Sequence, residues 1–249
     1  MHGLFKLTWV EVKLFLREPT TLVFTFAFPV VMLFVMGEIF ASRTLHPGEV
    51  MFRGFAALDY YVPAYCALVS ASVGLILLPT RLTSYRSDGV LRRFRGAHVP
   101  VWVVLGAQAA ASTVLAVVGC LLVWGFGELV YTVRFPASLG LCALAFLLGT
   151  LMFAAIGVLL GAVMPSTRAA QGAGLMLFFV MLFLSGAGPP VEVMSEKMLR
   201  IGDFLPLTHS LVAMQDAWNG LGFNVSEALT MVAVTVAAGW VALRAYRWG

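Results

Sequence analysis

Four arginines lie within ten residues of one another in the stretch RSDGVLRRFRGAHVP, residues 86–100. Guanidinium groups are fixed donors that suit the carboxylates of a protein partner or the phosphates of lipid headgroups. Asp88 and Gly89 are typical of a turn that begins a helix. Such a helix would present three apolar side chains among the arginines, Val90, Leu91 and Phe94. The pattern leaves two interpretations open: a docking surface for a partner protein, or solvated charges that only touch headgroups.

No motif for nucleotide or hydrolytic chemistry is found elsewhere in the sequence. A P-loop needs Gly-Lys-Ser/Thr to hold phosphate, and none of the three lysines, Lys6, Lys13 and Lys197, follows a glycine. The four histidines are scattered, without H-E-x-x-H or G-x-S-x-G. We therefore expect a chain that is not an enzyme and that binds no metal or cofactor of its own.

The composition indicates a membrane protein. Hydrophobic residues make up 61% of the chain and charged residues 11%, whereas soluble domains carry about 25% charged residues. A helix that crosses the hydrocarbon core needs about 20 mostly apolar residues. Six such runs occur: 20–41, 60–79, 101–127, 138–164, 172–188 and 228–243. Each is predicted to be helical, because lipid offers no partners for backbone groups.

Lys and Arg are distributed unevenly between the two sides of such a six-span chain. Eleven of the sixteen fall on the side of the termini and of residues 80–100. The positive-inside rule then predicts a multi-pass protein of the plasma membrane with both termini in the cytoplasm. The net charge of +4 is explained by this asymmetry, and it does not call for nucleic acid as a partner.

Residues 1–19 are predicted to form a helix that lies in the membrane surface. One face would be apolar, with Phe5, Trp9, Val12 and Leu16 toward lipid, beside a cationic stripe of Lys6, Lys13 and Arg17. Pro19 favours a break before the first span. The alternative is that the first span simply begins early.

Residues 189–227 are too polar to span the membrane and too apolar for a free loop. We expect one or two short helices folded back against the outer ends of the spans, with breaks at Pro189, Pro190, Pro206 and Gly220. The predicted fold is an all-α membrane protein of one domain, 1–249. It comprises an interfacial helix (1–19), spans 1–5 (20–188), an external re-entrant segment (189–227), and span 6 with a cytoplasmic tail (228–249).

Three further patterns concern packing and energy supply. Gly157 and Gly161 form a GxxxG match that permits close helix contact. The cysteines, Cys66, Cys120 and Cys142, lie inside predicted spans and are interpreted as small core residues. No ionisable residue falls in the middle of a span, which disfavours ion-coupled transport by this chain alone. If ATP drives the process, another polypeptide must hydrolyse it.

The sequences of three stretches resemble those of a known family. DGVLRRFRGAHVP, REPTTLVFTFAFPVVM and LSGAGPPVEVMSEKMLRIGDFLPLTHSLVAMQDAWNG are similar to the second loop, the entry to span 1 and the exit of span 5 in ABC-2 type permeases. These are the membrane subunits of ATP-binding-cassette exporters. RRFR looks most like the branch of daunorubicin-resistance and related drug-efflux permeases, and the resemblance covers nearly the whole chain.

The resemblance implies an assembly of two permease chains, identical or different, with two ATPase chains that bind the ATP and Mg. It implies an interfacial N-terminal helix and a cytoplasmic coupling helix between spans 2 and 3. Carried onto this chain, the coupling contacts would be Asp88, Val90, Leu91, Arg92 and Phe94. Arg86, Arg93 and Arg95 would add charge steering, and Lys6, Trp9, Lys13 and Arg17 would belong to the interfacial helix.

The resemblance also places a transport pathway at the dimer interface, along the second and fifth spans. Candidate lining residues are Phe28, Tyr65, Ser70, Phe178, Met181 and Phe183. Aromatic and methionine side chains suit a hydrophobic or amphiphilic cargo such as a drug, an antibiotic or a lipid. Two alternatives remain open: a permease for a polysaccharide or glycolipid, and a membrane scaffold that transports nothing.

Overall fold

The computed structural model of the protein describes residues 2–15, 17–19, 22–40, 50–90, 96 and 101–245, with backbone alone at 2–6, 101, 102 and 105. Over these residues the fold is all helical. In chain order the helices are α1 His2–Phe15, α2 Leu22–Phe40, α3 Ala57–Ser87, α4 Val101–Tyr131, α5 Leu139–Val163, α6 Thr167–Leu184, α7 Glu196–Gly202, α8 Pro206–Trp218 and α9 Val225–Ala245. Two short 3₁₀ turns, Phe52–Gly54 and Val191–Val193, precede α3 and α7.

Six of these helices, α2 to α6 and α9, are long and apolar enough to cross a membrane. They coincide with the six runs predicted from the sequence, so the predicted all-α membrane fold is confirmed. The bounds differ by several residues. The helix α3 is longer at both ends than the predicted 60–79, and α6 begins at Thr167 rather than at 172.

The helix α3 occupies the centre of the bundle. Residues 59–79 are all buried, and α3 packs on α2, α4, α5 and α6. Its middle, Val73–Leu77, is a π-helical segment in which the Leu78 N–H donates to the Val73 carbonyl, five residues back. Pro79 follows immediately and lacks the N–H that an α-helix would direct to the Leu75 carbonyl. A π segment before a proline shifts the backbone hydrogen bonds from the i−4 to the i−5 carbonyl, so the helix continues past the missing N–H.

Glycines on neighbouring helices bring their backbones against this part of α3. A Cβ atom on Gly157 of α5 would overlap the Gly74 carbonyl oxygen, and one on Gly174 of α6 would overlap the Leu75 carbonyl oxygen. Gly161 lies against Leu82, where a Cβ would stand 2.8 Å from the Leu82 Cβ. The close-packing role predicted for the GxxxG pair is therefore confirmed, and its partner is α3 of the same chain.

The two ends of α3 meet different elements. Its C-terminal end contacts α1, α5 and α6. Its N-terminal end contacts α8, which also packs on α5 and α9. We refer to these as the α1 end and the α8 end of the bundle.

The predicted short helices are found between α6 and α9. This segment folds into the short helices α7 and α8, and Pro190 and Pro206 stand where the Val191–Val193 turn and α8 begin. Gly220 ends the segment at a φ of 80°, a left-handed conformation that glycine adopts without strain. The helix α8 is buried from Ala213 to Trp218, which explains why its sequence is apolar without being long enough to span.

Candidate functional site

The helix α1 is fixed to the bundle through buried polar contacts with α3. The Tyr85 hydroxyl donates a hydrogen bond of 2.6 Å to Glu11 Oε1, and Glu11 is fully buried. Arg81 donates from Nη2 to the Leu14 carbonyl at 2.5 Å and forms an ion pair of 3.2 Å with Glu18. Its guanidinium also lies 5.4 Å from the centre of the Phe15 ring. The first helix therefore moves with the C-terminal end of α3.

Burial raises the pKa of the Glu11 carboxyl above its ordinary value of 4.5. The hydrogen bond from Tyr85 and the positive charge of Arg81 oppose this rise without cancelling it. A carboxyl in such a position binds its proton more tightly in the folded protein than in the unfolded chain. Sequence reasoning missed Glu11, although its spacing of four residues from Phe15 places both on one helix face.

The exposed face of α1 differs from the one expected. Val12 is only 8% exposed and Phe15 is fully buried, because this face packs on α3 and α4, so the prediction that Val12 faces lipid is wrong. Trp9 is 56% exposed, and the Lys13 ammonium lies 5.2 Å from the centre of its ring. Lys13 and Arg17 are exposed, while the side chain of Lys6 lies outside the described residues.

The turn after α3 begins the arginine-rich segment. Gly89 has a φ of 69°, and the Asp88 carboxylate accepts hydrogen bonds from Ser84 Oγ at 2.8 Å and Ser87 Oγ at 3.3 Å. Asp88 is exposed and Val90 is half-buried. The remaining candidates for the docking contact, Leu91, Arg92, Arg93, Phe94 and Arg95, lie outside the described residues. The structure thus gives the base of this segment and its attachment to α3.

Arg86 has a structural role at the same end. Its guanidinium donates to the Ala162 carbonyl at 3.1 Å and to the Met164 carbonyl, at the C-terminus of α5. The last carbonyls of a helix lack intrahelical partners and carry partial negative charge, so a cation here is favourable. Through Arg81, Tyr85 and Arg86 the last two turns of α3 hold both α1 and α5.

A polar network at the α8 end centres on Arg53, in the turn before α3. Arg53 Nη1 donates to Gln215 Oε1 at 2.8 Å, and Nη2 donates to Asp216 Oδ1 at 2.8 Å. The Arg53 N–H donates to Glu192 Oε1 at 2.7 Å, and Asn224 Nδ2 donates to the second oxygen of Asp216 at 2.8 Å. Asp216 is 5% exposed, so its charge depends on these partners.

The backbone that carries Arg53 is in an unusual conformation. Phe52, Arg53 and Gly54 have φ values of 57°, 55° and 81°, and for the two residues with a Cβ this costs about 1–3 kcal/mol each. The Phe52 ring is buried against Phe40 at 5.3 Å and Tyr60 at 5.7 Å between ring centres. Ring packing and the ion pair together offset this strain.

The first residues of α3 join the same network. The Tyr60 hydroxyl donates to the Gly186 carbonyl at 2.9 Å, and the Tyr61 hydroxyl donates to the Gly188 carbonyl at 3.2 Å. The Tyr60 carbonyl accepts from Gln215 Nε2 at 3.0 Å. The helix α3 is thus bonded to the segment after α6 and to α8. Sequence reasoning missed Arg53, and the available signal was a single arginine inside an otherwise apolar stretch, MFRGFAAL.

Two of the six pathway candidates come together in an aromatic cluster between α2 and α6. The rings of Phe28 and Phe178 lie 5.7 Å apart, and Phe24 and Phe179 complete a group of four. Phe178 is fully buried, whereas Phe179 is 37% exposed. The cluster therefore links the interior of the chain to an outer face.

The other four candidates lie apart from this cluster. Tyr65 is fully buried and stacks on Tyr61 at 5.7 Å, and Ser70 shares a hydrogen bond of 2.9 Å with Thr150 of α5. Met181 is 5% exposed, while Phe183 is 54% exposed on the outer face of α6. In this conformation the candidates on α3 are covered by the chain itself.

Comparisons with known proteins agree with this architecture. The model of the ABC-2 type transporter family matches residues 2–218. A protein of Bacillus subtilis (strain 168) named "Putative transport permease YvfS" is 29% identical over 136 residues, which cover 54% of this chain and 55% of the relative. The chain thus matches about half the length of this curated relative.

Proposed function

The chain belongs to the ABC-2 type transporter family, and from this premise we propose that it is the permease subunit of an ATP-driven exporter, with ATP hydrolysed by a separate ABC ATPase. Its six membrane-length helices make it a multi-pass membrane protein, and its relatives are transport permeases that normally work with ABC ATPase subunits. The cargo of this exporter is hydrophobic or amphiphilic, such as a drug, an antibiotic or a lipid.

The observation that carries the proposal is the way α3 joins the two ends of the bundle. It has 31 residues, a length of about 46 Å, enough to cross the membrane. At one end it holds α1 through Tyr85 and carries the turn at Gly89. At the other end it is bonded to Gly186 and Gln215. A force applied to the segment after Gly89 acts directly on a helix that packs on α2, α4, α5, α6 and α8.

The α1 end faces the cytoplasm in this proposal, because eleven of the sixteen Lys and Arg residues belong to that side. The ATPase then contacts the segment that begins at Asp88 and Val90. Leu91, Arg92 and Phe94 make the docking contacts, and Arg93 and Arg95 steer the approach. Arg86 fixes the base of this segment, because its guanidinium bonds the C-terminal end of α5. Lys13 of α1 and Arg17, just after it, lie on the same side and meet anionic headgroups.

The cargo pathway follows the aromatic cluster in this proposal. Phe24 and Phe28 of α2 and Phe178 and Phe179 of α6 provide polarizable surface without fixed polar contacts. Phe179 and Phe183 are exposed on the outer face of α6, which we assign to the contact with a second permease chain, identical or related. Cargo passes between the two chains, against these faces.

The test is reconstitution of the chain in lipid with candidate ABC ATPases, followed by measurement of complex formation and ATP hydrolysis. Leu91→Ala and Phe94→Ala each remove an apolar contact from the docking segment. We expect affinity for the ATPase to fall about tenfold for each, as at a hot spot worth 1–2 kcal/mol. Arg93→Ala has a smaller effect, because exposed ion pairs contribute about 0–1 kcal/mol.

Leu129→Ala serves as the matched control, because Leu129 is 85% exposed near the α8 end of α4. It removes the same atoms as Leu91→Ala, at the opposite end of the bundle, and leaves affinity for the ATPase unchanged. Unchanged affinity and hydrolysis in both Leu91→Ala and Phe94→Ala refute the docking assignment. A failure to bind any ABC ATPase refutes the exporter and favours a scaffold.

A further inference from the structure

An apolar pocket of about 200 Å³ lies between α4, α5 and α8, away from the aromatic cluster of α2 and α6. Its wall includes Cys120 and Trp124 of α4, Cys142 of α5, and Met214 and Trp218 of α8. An apolar cavity of roughly 150 Å³ accommodates a benzene-sized molecule, so this pocket has room for a segment of hydrocarbon chain.

The pocket opens on the outer surface of the membrane-length helices. Leu121 of α4 and Leu139 of α5 both line it and are 54% and 51% exposed. The medium outside this opening is the bilayer, since α4 and α5 cross it. Lipid acyl chains are therefore the molecules present at the highest concentration at the mouth.

Trp218 forms one end of the pocket. Trp218 is 5% exposed, and its indole N–H has no hydrogen-bond partner among the described residues. The nitrogen itself is covered by the protein, so Trp218 contributes the carbon face of its ring to the pocket. The Trp124 ring meets the Trp218 ring at 6.2 Å and an angle of 90°, so the end of the pocket has a defined aromatic wall.

A cationic side chain stands beside the same end. The segment between α4 and α5 is attached by the Ala137 N–H, which donates to the Trp218 carbonyl at 2.9 Å, and by the Phe135 ring, 5.5 Å from Trp124. Arg134 comes immediately before and is 85% exposed. Its Nε lies 3.8 Å from Asp59, a long ion pair that leaves the guanidinium accessible to another anion.

From this arrangement we propose that the pocket binds an anionic phospholipid, with part of one acyl chain between α4, α5 and α8 and the phosphate on Arg134. The apolar wall suits the acyl chain, and the exposed guanidinium, two residues before Pro136 of the pocket wall, suits the phosphate. This site goes beyond the proposed function and depends only on the chain being a membrane protein.

The experiment is native mass spectrometry of the purified full chain, with phosphatidylglycerol or with a diacylglycerol of the same acyl chains added to delipidated protein. Ala143→Phe places a ring in the mouth, because Ala143 lines the pocket and is exposed. We expect binding of phosphatidylglycerol to fall about tenfold. Leu144→Phe is the control: Leu144 is also exposed on α5 and does not line the pocket, so binding remains as in the wild type.

Arg134→Gln tests the headgroup contact without touching the packed interior. It reduces the preference for phosphatidylglycerol over diacylglycerol about tenfold, the size expected for one charge-assisted contact with phosphate. Arg200→Gln, a change at another exposed arginine, leaves the preference intact. Equal binding by Ala143→Phe and Leu144→Phe refutes the pocket, and an unchanged preference in Arg134→Gln refutes the phosphate contact.

Discussion

The hydroxyl of Tyr85 donates a 2.6 Å hydrogen bond to the buried carboxylate of Glu11, and so joins residues 74 positions apart in the chain. The bond connects the first helix to the end of the central one. Both residues lie on the side where the arginine-rich segment leaves α3. It is the most direct contact through which α1 and that segment move together.

Tyr85→Phe is expected to lower stability by about 1–3 kcal/mol, because it removes the donor and leaves a buried carboxyl oxygen without its partner. Thermal unfolding of the purified chain in detergent measures the change. Tyr131→Phe is the control, since the Tyr131 hydroxyl donates to Glu38 at an exposed site and water replaces it there. Equal losses in the two variants would show that burial of Glu11 contributes nothing.

The stability of the protein is expected to depend on pH through Glu11. Because the pKa of Glu11 is raised on folding, the folded chain holds this proton more tightly than the unfolded chain. The resulting stability is fully present below about pH 4.5, the ordinary value, and is lost as pH rises through the folded-state pKa. Glu11→Gln keeps an acceptor for Tyr85 and removes the charge.

Glu11→Gln should therefore stabilise the chain at neutral pH, with the advantage shrinking as the pH falls toward 4.5. Unfolding temperatures from pH 4 to pH 8 measure it. Glu196→Gln changes an exposed glutamate that pairs only with Arg200, and its stability should follow the wild type across this range. An advantage of Glu11→Gln that stays constant with pH would contradict the assignment.

The ion pair between Arg53 and Asp216 is expected to contribute a coupling free energy of about 1–3 kcal/mol in a double-mutant cycle with Arg53→Met and Asp216→Asn. Each single change leaves a half-buried or buried polar group without its partner. Arg53→Lys should recover only part of the loss, because an ammonium cannot reach Gln215 and Asp216 with two parallel donors. If the losses of stability in the two single variants simply add up in the double variant, Arg53 and Asp216 are not coupled.

Gly174→Ala is expected to cost about 1–3 kcal/mol, because its Cβ would overlap the Leu75 carbonyl oxygen of the central helix, and backbone cannot move aside as a side chain does. Gly172→Ala lies two residues away on the same helix, where a Cβ meets no other atom within 4 Å. Since alanine is the better helix former, Gly172→Ala should be neutral or stabilising. Thermal unfolding of the two variants side by side gives the comparison.

The spans could be predicted because each is encoded locally. Twenty apolar residues determine a membrane helix whatever surrounds them, and Pro190, Pro206 and Gly220 mark the breaks of the α7–α8 segment through their own backbone restrictions. The GxxxG pair was predicted to pack closely for the same reason. What the local pattern did not contain was the identity of the partner helix.

The contacts of the candidate site could not be predicted, since each joins residues far apart in sequence. Arg53 pairs with a carboxylate 163 positions later, and Glu11 is buried by helices that follow it. The sequence of α1 alone does not determine whether Val12 faces lipid or the protein core. The packing of α3 and α4 against α1 determines that it faces the core. Phe28 and Phe178 were both selected as pathway residues, but nothing in either span indicates that their rings meet.

The burial of α3 has a consequence for biogenesis. During synthesis this helix leaves the ribosome before the helices that later cover it. It therefore resides in lipid before Thr150 and Gly186, the hydrogen-bond partners of Ser70 and Tyr60, have been inserted. Its strongly apolar sequence is thus required by an early stage of insertion rather than by its final surroundings, which contain no lipid along residues 59–79. We therefore expect assembly of the bundle to include the transfer of α3 from lipid into protein contacts.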